Sequence, residues 1–383
     1  MKGSTKLFRI FGIDIKLHFS WWFVFALLVW SLSSAFFPAV CEGAFPTFIP
    51  DCSSFTSATY WLMGISATLL LFISVLLHEL SHSLVAKLQK IKVESITLFF
   101  FGGVASIEDE DMKPITELTM ALAGPLFSLI LAGIFFLIFK YDGNVILSSI
   151  MFYLAQLNFI LAIFNLVPGF PLDGGRAFRA ILYAYYHDLK KATRIAVKGG
   201  KIVAGALIFL GLFSLITGVA NGLWFIFLGG FLWFIAGMSY EQVVIKEVLG
   251  KLPVAELMDK KYFSLESNLT FSQALLKVAK IPQESFVVKK GTTFVGILDL
   301  KQITKFPSSH HSKLTLMQLV IPKQKIKAVE PHTNSYQAFR SLLQQKLDFL
   351  PVLEKQALVG IITHQSLNHR LLLDLKYGFL KKK

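Results

Sequence analysis

Six apolar runs, near residues 18–37, 60–77, 115–139, 145–167, 202–217 and 223–238, dominate the first two thirds of this 383-residue chain. A helix needs roughly 20 apolar residues to cross the hydrocarbon core. Backbone polar groups have no water there to bond, so continuous helices are the form such runs can take. The fifth and sixth runs are short, and only residues 218–222 part them. Of the whole chain 54% is hydrophobic and 16% charged, against roughly a quarter charged in soluble domains. The formal net charge is +14. Its Lys and Arg sit beside the ends of apolar runs and in the C-terminal third, and no nucleic-acid motif accompanies them. Topology and anionic headgroups, rather than nucleic acid, are what this placement serves.

Charge also sets a direction. Lys2, Lys6, Arg9 and Lys16 precede the first run, whereas the loop after it carries Glu42 and Asp51 and no Lys or Arg. Lys87, Lys90 and Lys92 follow the second run, and a basic segment from Arg176 and Arg179 to Lys201 follows the fourth. Alternation of basic and non-basic loops predicts an integral, multi-pass protein with both termini in the cytoplasm, the plasma membrane being the expected location. The first run is too long for a cleaved signal and lacks a small-residue cleavage site. Cys41 and Cys52 share one non-basic loop. They form a disulfide if that loop faces an oxidising side, and two free thiols fit the sequence nearly as well.

The second run ends in His78-Glu79-Leu80-Ser81-His82. On a helix, positions four apart share a face, so both imidazoles reach one ion while Glu79 points about 100° around. Neutral imidazoles suit zinc, and the carboxylate suits proton removal from water. A catalytic zinc needs a third protein ligand. The fourth run supplies a candidate where it ends, in Asn165-Leu-Val-Pro-Gly-Phe-Pro-Leu-Asp173-Gly-Gly-Arg176. Pro168 and Pro171 break the helix there, and a carboxylate on non-helical backbone at membrane depth needs a polar or metal partner. Asp173 as a helix cap, and Asn165 as a partner for freed carbonyls, are the plainer readings of the same residues. Between the two motifs, Val93–Ile107 is rich in β-branched and aromatic residues and contains Gly102-Gly103. It reads either as a hairpin dipping toward the metal, where a substrate adds as a strand, or as an interfacial loop. Ala123-Gly124-Pro125 reads as a close-packing site within the third span.

After Tyr240 the composition becomes that of a soluble domain and a repeat appears. Thr293-Phe-Val-Gly-Ile-Leu-Asp-Leu300 reads against Ala357-Leu-Val-Gly-Ile-Ile-Thr-His364. Each half predicts strand, helix, strand, strand, helix.

HELSH, followed one span later by NxxPxxPLDGG, resembles the site-2 protease family of intramembrane zinc metalloproteases over residues 1 to about 240. The repeat, with Ala255-Glu-Leu-Met258 as its entry segment, resembles a tandem pair of CBS (cystathionine β-synthase) modules. The resemblance implies one zinc per chain on His78, His82 and Asp173, with Glu79 as general base. It implies that Asn165 orients substrate or stabilises the oxyanion, and that Gly102 and Gly103 belong to a substrate-positioning segment. It further implies hydrolysis of peptide bonds in or next to the transmembrane segments of membrane proteins, as in regulated intramembrane proteolysis.

The expected architecture is thus a polytopic α-helical membrane protein, with about six transmembrane helices and a membrane-associated β-hairpin, followed by a cytoplasmic α/β tandem CBS domain. The boundaries fall at 1–244 for the protease and 245–383 for the regulatory domain, with repeats at about 253–305 and 314–370. CBS pairs that bind adenosine nucleotides carry an acid after Gly-h-h-Ser/Thr. Here Asp299 and Gln302, and Thr363 and Ser366, depart from that pattern. This weighs against nucleotide sensing and leaves a homodimer or a gating role at least as fitting. His310 and His311 read as solvated linker residues, and Lys381–Lys383 as a solvated tail. A channel or transporter would spread polar residues through several spans, and an inactive scaffold would lack the base or a ligand. Neither pattern is present.

Overall fold

The computed structural model describes residues 3–43, 52–100, 102–107, 112–218, 222–281, 283–303 and 314–377. Glu108–Asp111, His310, His311 and Lys381–Lys383 lie outside them, as does the side chain of Gln302. Two compact units make up the chain, Met1–Tyr240 and Glu241–Lys383.

The first unit opens with β1 (Ser4–Ile10) and β2 (Ile13–His18), an antiparallel hairpin. The basic segment before the first apolar run, read above only for its charge, is thus a strand pair. Ile13, Ile15 and Leu17 alternate with Asp14 and Lys16, and Ile13 and Ile15 are fully buried. That is the period-two signal of a half-buried strand. The first crossing comprises α1 (Ser20–Ser31), a π-helical turn at Leu32–Phe36 and α2 (Phe37–Cys41). A disulfide joins Cys41 to Cys52. The second crossing is α3 (Ser57–Leu88), started by a Thr56–Thr59 capping box. Then come β3 (Val93–Phe99) and β4 (Gly102–Ile107).

These strands are more than the expected hairpin. They form a four-stranded sheet in the order β1-β2-β3-β4, with β2 and β3 parallel from Asp14↔Ser95 to Leu17↔Leu98. The parallel pairing is possible because two membrane crossings intervene between β2 and β3. Ile13, Ile15, Val93 and Ile96 pack with Leu80, Ala86 and Met120 in one core cluster, so the sheet is fastened to α3 next to the HELSH turn. The Lys87 ammonium, on the same helix, donates to the carbonyl of Phe11 in the β1–β2 turn. Among the described residues β4 is an edge strand.

The remaining crossings are α4 (Pro114–Tyr141), α5 (Val145–Asn165), α7 (Leu189–Ile216) and α8 (Gly222–Gly250), with the short α6 (Asp173–Tyr186) between α5 and α7. The basic segment from Arg176 to Lys201, expected as a loop, is α6 and the first turns of α7. Asp188 caps α7 by accepting from the Lys191 amide, and Lys and Arg are good helix formers. Counting α1 and α2 as one crossing, six helices among the described residues are long and apolar enough to span a membrane. Phe23, Leu27, Trp30, Ile130, Leu137, Phe209 and Phe213 on them stand exposed. So much outward apolar surface fits lipid, not water.

Beyond α8 the second unit carries α9 (Val254–Leu257) and two related halves. The first contains β5 (Ser264–Glu266), α10 (Phe271–Val278), β6 (Ser285–Lys290), β7 (Thr293–Asp299) and α11 (Leu300–Ile303). After α12 (Leu316–Leu319), the two-residue β8 (Ile321–Pro322) completes a sheet ordered β5-β6-β7-β8. The second half contains α13 (Ser335–Gln345), β9 (Phe349–Glu354), β10 (Ala357–Thr363) and α14 (His364–Tyr377). In place of its expected first strand the described residues show a single parallel bridge, Val329↔Val352. Phe271, Ala274, Phe286, Val288 and Leu298 form the core of the first half.

Candidate metal centre

The site stands where α3, α4 and α6 meet. α3 contributes His78 and His82, which are 4% and 5% exposed. Their Nε2 atoms are 3.2 Å apart, and the Asp173 Oδ2 lies 3.3 Å from the first and 3.1 Å from the second. Asp173 comes from the start of α6. That helix begins only after a non-helical run through Pro168 and Pro171, and its N-cap Leu172 makes no side-chain cap bond. Its carboxylate is turned to the histidines instead of to its own backbone.

The far side of each imidazole is held by α4. His82 Nδ1 donates to the Met120 carbonyl at 2.6 Å, and His78 Nδ1 shares a hydrogen bond with Ser128 Oγ at 2.9 Å. A carbonyl can only accept, so the Nδ1 of His82 carries a proton, and in the neutral ring Nε2 offers a lone pair inward. Outer partners of this kind orient metal-ligating imidazoles. Donor atoms on a tetrahedral zinc at about 2.0–2.1 Å stand about 3.3 Å from one another. The three observed separations match that spacing, and two imidazoles with a carboxylate are a zinc-type donor set, so the residues fit the ion.

Gly124 explains the Ala-Gly-Pro motif. A Cβ there would lie 2.1 Å from His82 Nε2 and 2.6 Å from His78 Nε2. The motif is indeed a close approach, but between a helix backbone and the paired histidines. Elsewhere in a helix Gly→Ala stabilises by about 1 kcal/mol. Gly124→Ala is expected to do the reverse for the site, pushing the imidazoles apart. Elemental analysis of the purified variant should show most of its zinc lost, with the helical circular dichroism retained.

Glu79 is half-buried on the adjoining face of α3, against β4. A Cβ on Gly103 would come within 2.3 Å of Glu79 Cγ, so only glycine lets the edge strand lie this close to the carboxylate. Gly102 has φ +123°, which the turn from β3 demands and side chains rarely tolerate. Asn165 is the last residue of α5, half-buried, and among the described residues its side chain makes no hydrogen bond. The sequence reading therefore named two histidines and an acid that the fold brings together. It missed Ser128, Met120 and an ion pair between Glu117 and Arg179. Polar Ser128 and charged Glu117 within an apolar segment were the available signals.

The profile of peptidase family M50 matches residues 66–144 and 142–212, and that of the CBS domain matches residues 320–372. Among curated relatives, the putative zinc metalloprotease sll0528 of Synechocystis is 30% identical over 375 residues, covering 96% of this chain and 95% of the relative. The putative zinc metalloprotease Rip3 of Mycobacterium tuberculosis is 28% identical over 375 residues, covering 95% and 91%. The solved site-2 protease from Methanocaldococcus jannaschii is 33% identical, covering 61% of this chain and 94% of that one, with a TM-score of 0.39. With near full-length likeness at this identity, and the family profile lying over both candidate metal-binding segments, the chain belongs to peptidase family M50, the site-2 protease family of membrane metalloendopeptidases, and carries a C-terminal CBS domain.

Proposed function

We propose that this protein hydrolyses peptide bonds in or next to the transmembrane segments of membrane proteins, with zinc held by His78, His82 and Asp173. The observation that carries the reading is the convergence of three donor atoms at tetrahedral spacing within the span-forming unit. Zinc at this position supplies a Lewis acid, which acidifies water and polarises the scissile carbonyl. Glu79 takes the proton from the attacking water and passes it to the leaving amine. Asn165, at the end of α5 and without a side-chain hydrogen bond among the described residues, offers its amide N–H to the carbonyl oxygen as charge develops there.

A helical substrate hides its peptide bonds, so it must be extended before it is cut. The free edge of β4 supplies main-chain partners for an added strand, and Gly102 and Gly103 let that strand run beside Glu79. The lysines that follow α3 favour the cytoplasmic side for this end of the helix, in keeping with a plasma-membrane protein whose termini both face the cytoplasm.

For the C-terminal unit, gating or homodimer formation is at least as fitting as nucleotide sensing. Its cleft of about 720 Å³ is lined by Asp259, Glu284 and Asp348 together with Lys261 and His364, so carboxylates outnumber cationic groups where a phosphate would have to sit. Lys301 is engaged by two of them, at 2.5 Å from Glu284 and 3.2 Å from Asp348, and the Glu284 hydrogen bond foremost holds its ammonium above the usual lysine pKa.

The test is hydrolysis of a reporter transmembrane segment by the full chain in nanodiscs. A chelator is expected to abolish cleavage, and zinc, but not magnesium, to restore it. Cleavage that persists after zinc has been removed would refute the proposal.

A further inference from the structure

The fold leaves a positional problem that the metal ligands do not solve. His78 and His82 are fixed by a continuous helix, but Asp173 follows seven non-helical residues, 166–172. Something outside α5 has to set the depth and rotation of α6 relative to α4, which holds the histidines from behind.

Two residues in one contact do this. Arg179, on α6 and six residues beyond Asp173, donates from Nε at 2.8 Å, and from Nη2, to the same Glu117 Oε1 on α4. Glu117 is 3% exposed and stands one turn before Met120, whose carbonyl anchors His82. The Arg179 guanidinium also lies over the ring of Phe170, 4.9 Å from its centroid. Phe170 belongs to the proline-broken run and is itself packed against Ala196 and Val197 of α7. One guanidinium therefore grips the first turn of α4, the run before Asp173 and α6 together. A planar guanidinium can donate to Glu117 and lie flat over Phe170 at once, whereas an ammonium cannot do both. A buried carboxylate with a charged partner is costly to build and is weak evidence for stability by itself. Its placement between the two halves of the donor set points to another use.

We infer that Glu117 and Arg179 are positioning residues: through their contact with each other and with Phe170 they hold the Asp173 carboxylate in register with the two histidines. The inference rests on the metal-site reading above.

The experiment uses the zinc-loaded full chain in nanodiscs and follows zinc release into excess chelator, beside thermal unfolding and kcat and KM on a reporter segment. Glu117→Gln keeps shape and an acceptor but removes the charge, and Arg179→Lys keeps the charge but removes the fork. Each is expected to speed zinc release by about 10–100-fold, the usual effect of changing a metal site's outer partners. kcat should fall while KM stays near the wild-type value, and the double variant should release zinc no faster than the worse single one. Leu154→Ala, in a fully buried position of another core cluster, is the control. It lowers the unfolding temperature and should leave zinc release unchanged.

Release within twofold of wild type for both single variants, or no faster than in Leu154→Ala, overturns the inference, as does an additive double variant. If either single variant fails to accumulate, Glu117→Asp is judged by the same criteria. A wild-type chain that holds no zinc defeats the metal-site reading instead, so the two failures are told apart.

Discussion

Glu79→Gln is expected to lower the rate of peptide hydrolysis by about 10³-fold or more while leaving one zinc per chain in place. Positioned proton transfer contributes roughly 10²–10⁴-fold, and a thousandfold loss corresponds to about 4 kcal/mol of transition-state free energy. Glutamine has the same shape and meets Gly103 in the same way, so the edge strand keeps its place. Only the capacity to carry a proton is lost. The site offers a rival role for Glu79, since its carboxylate stands one residue from His78 and could itself be a ligand. Helical geometry speaks against this, because it faces about 100° away from the paired imidazoles. The variant separates the two: a ligand's loss empties the site, a base's loss does not. Zinc content by mass spectrometry and cleavage of a reporter segment by gel shift are the two measurements. A rate within tenfold of wild type would remove Glu79 from the mechanism. The same variant, expressed in membranes, should accumulate the uncut substrate, which proteomic comparison with wild type would identify.

The features legible in the sequence are those whose spacing is local. HELSH could be read because residues four apart share a helix face, whatever surrounds them. The acid at Asp173 could be read because two prolines and a charge inside an apolar segment have few other uses. The sheet was harder. β2 shows its alternation over only six residues, Ile13–His18. β1 hardly shows it, with five of its seven residues exposed. β2 pairs with β3 across some eighty intervening residues, and no local pattern encodes that partner. The basic stretch from Arg176 to Lys201 reads as a loop by its charge and as helix by its propensity, and the propensity prevails. Lysine and arginine stop a membrane crossing without stopping a helix, and α7 runs on through both regimes. Met120 could not be found at all, since its contribution to the site is a backbone carbonyl, which every residue has.

Loss of a ligand should have an effect as large as loss of the base, by a different route. His78→Ala, His82→Ala and Asp173→Ala are each expected to cost zinc affinity well beyond the roughly 10–100-fold typical of outer-partner changes, and to abolish hydrolysis with it. Asp173→Asn is the more telling variant. Asparagine caps helices as well as aspartate does, so if Asp173 served mainly to start α6, the change would be harmless. Leu172, not Asp173, occupies the cap position, and the Asp173 carboxylate lies 3.1–3.3 Å from both imidazole Nε2 atoms. The amide keeps an oxygen there but loses the negative charge that, with two neutral imidazoles, offsets half of the zinc charge. Zinc should therefore be lost from Asp173→Asn with the helical content and unfolding temperature of the apo chain close to those of apo wild type. Full zinc occupancy together with wild-type cleavage in this variant would return Asp173 to the role of a helix cap. Retained zinc with lost cleavage would show that it holds the ion through an oxygen alone and that its charge acts on the reaction.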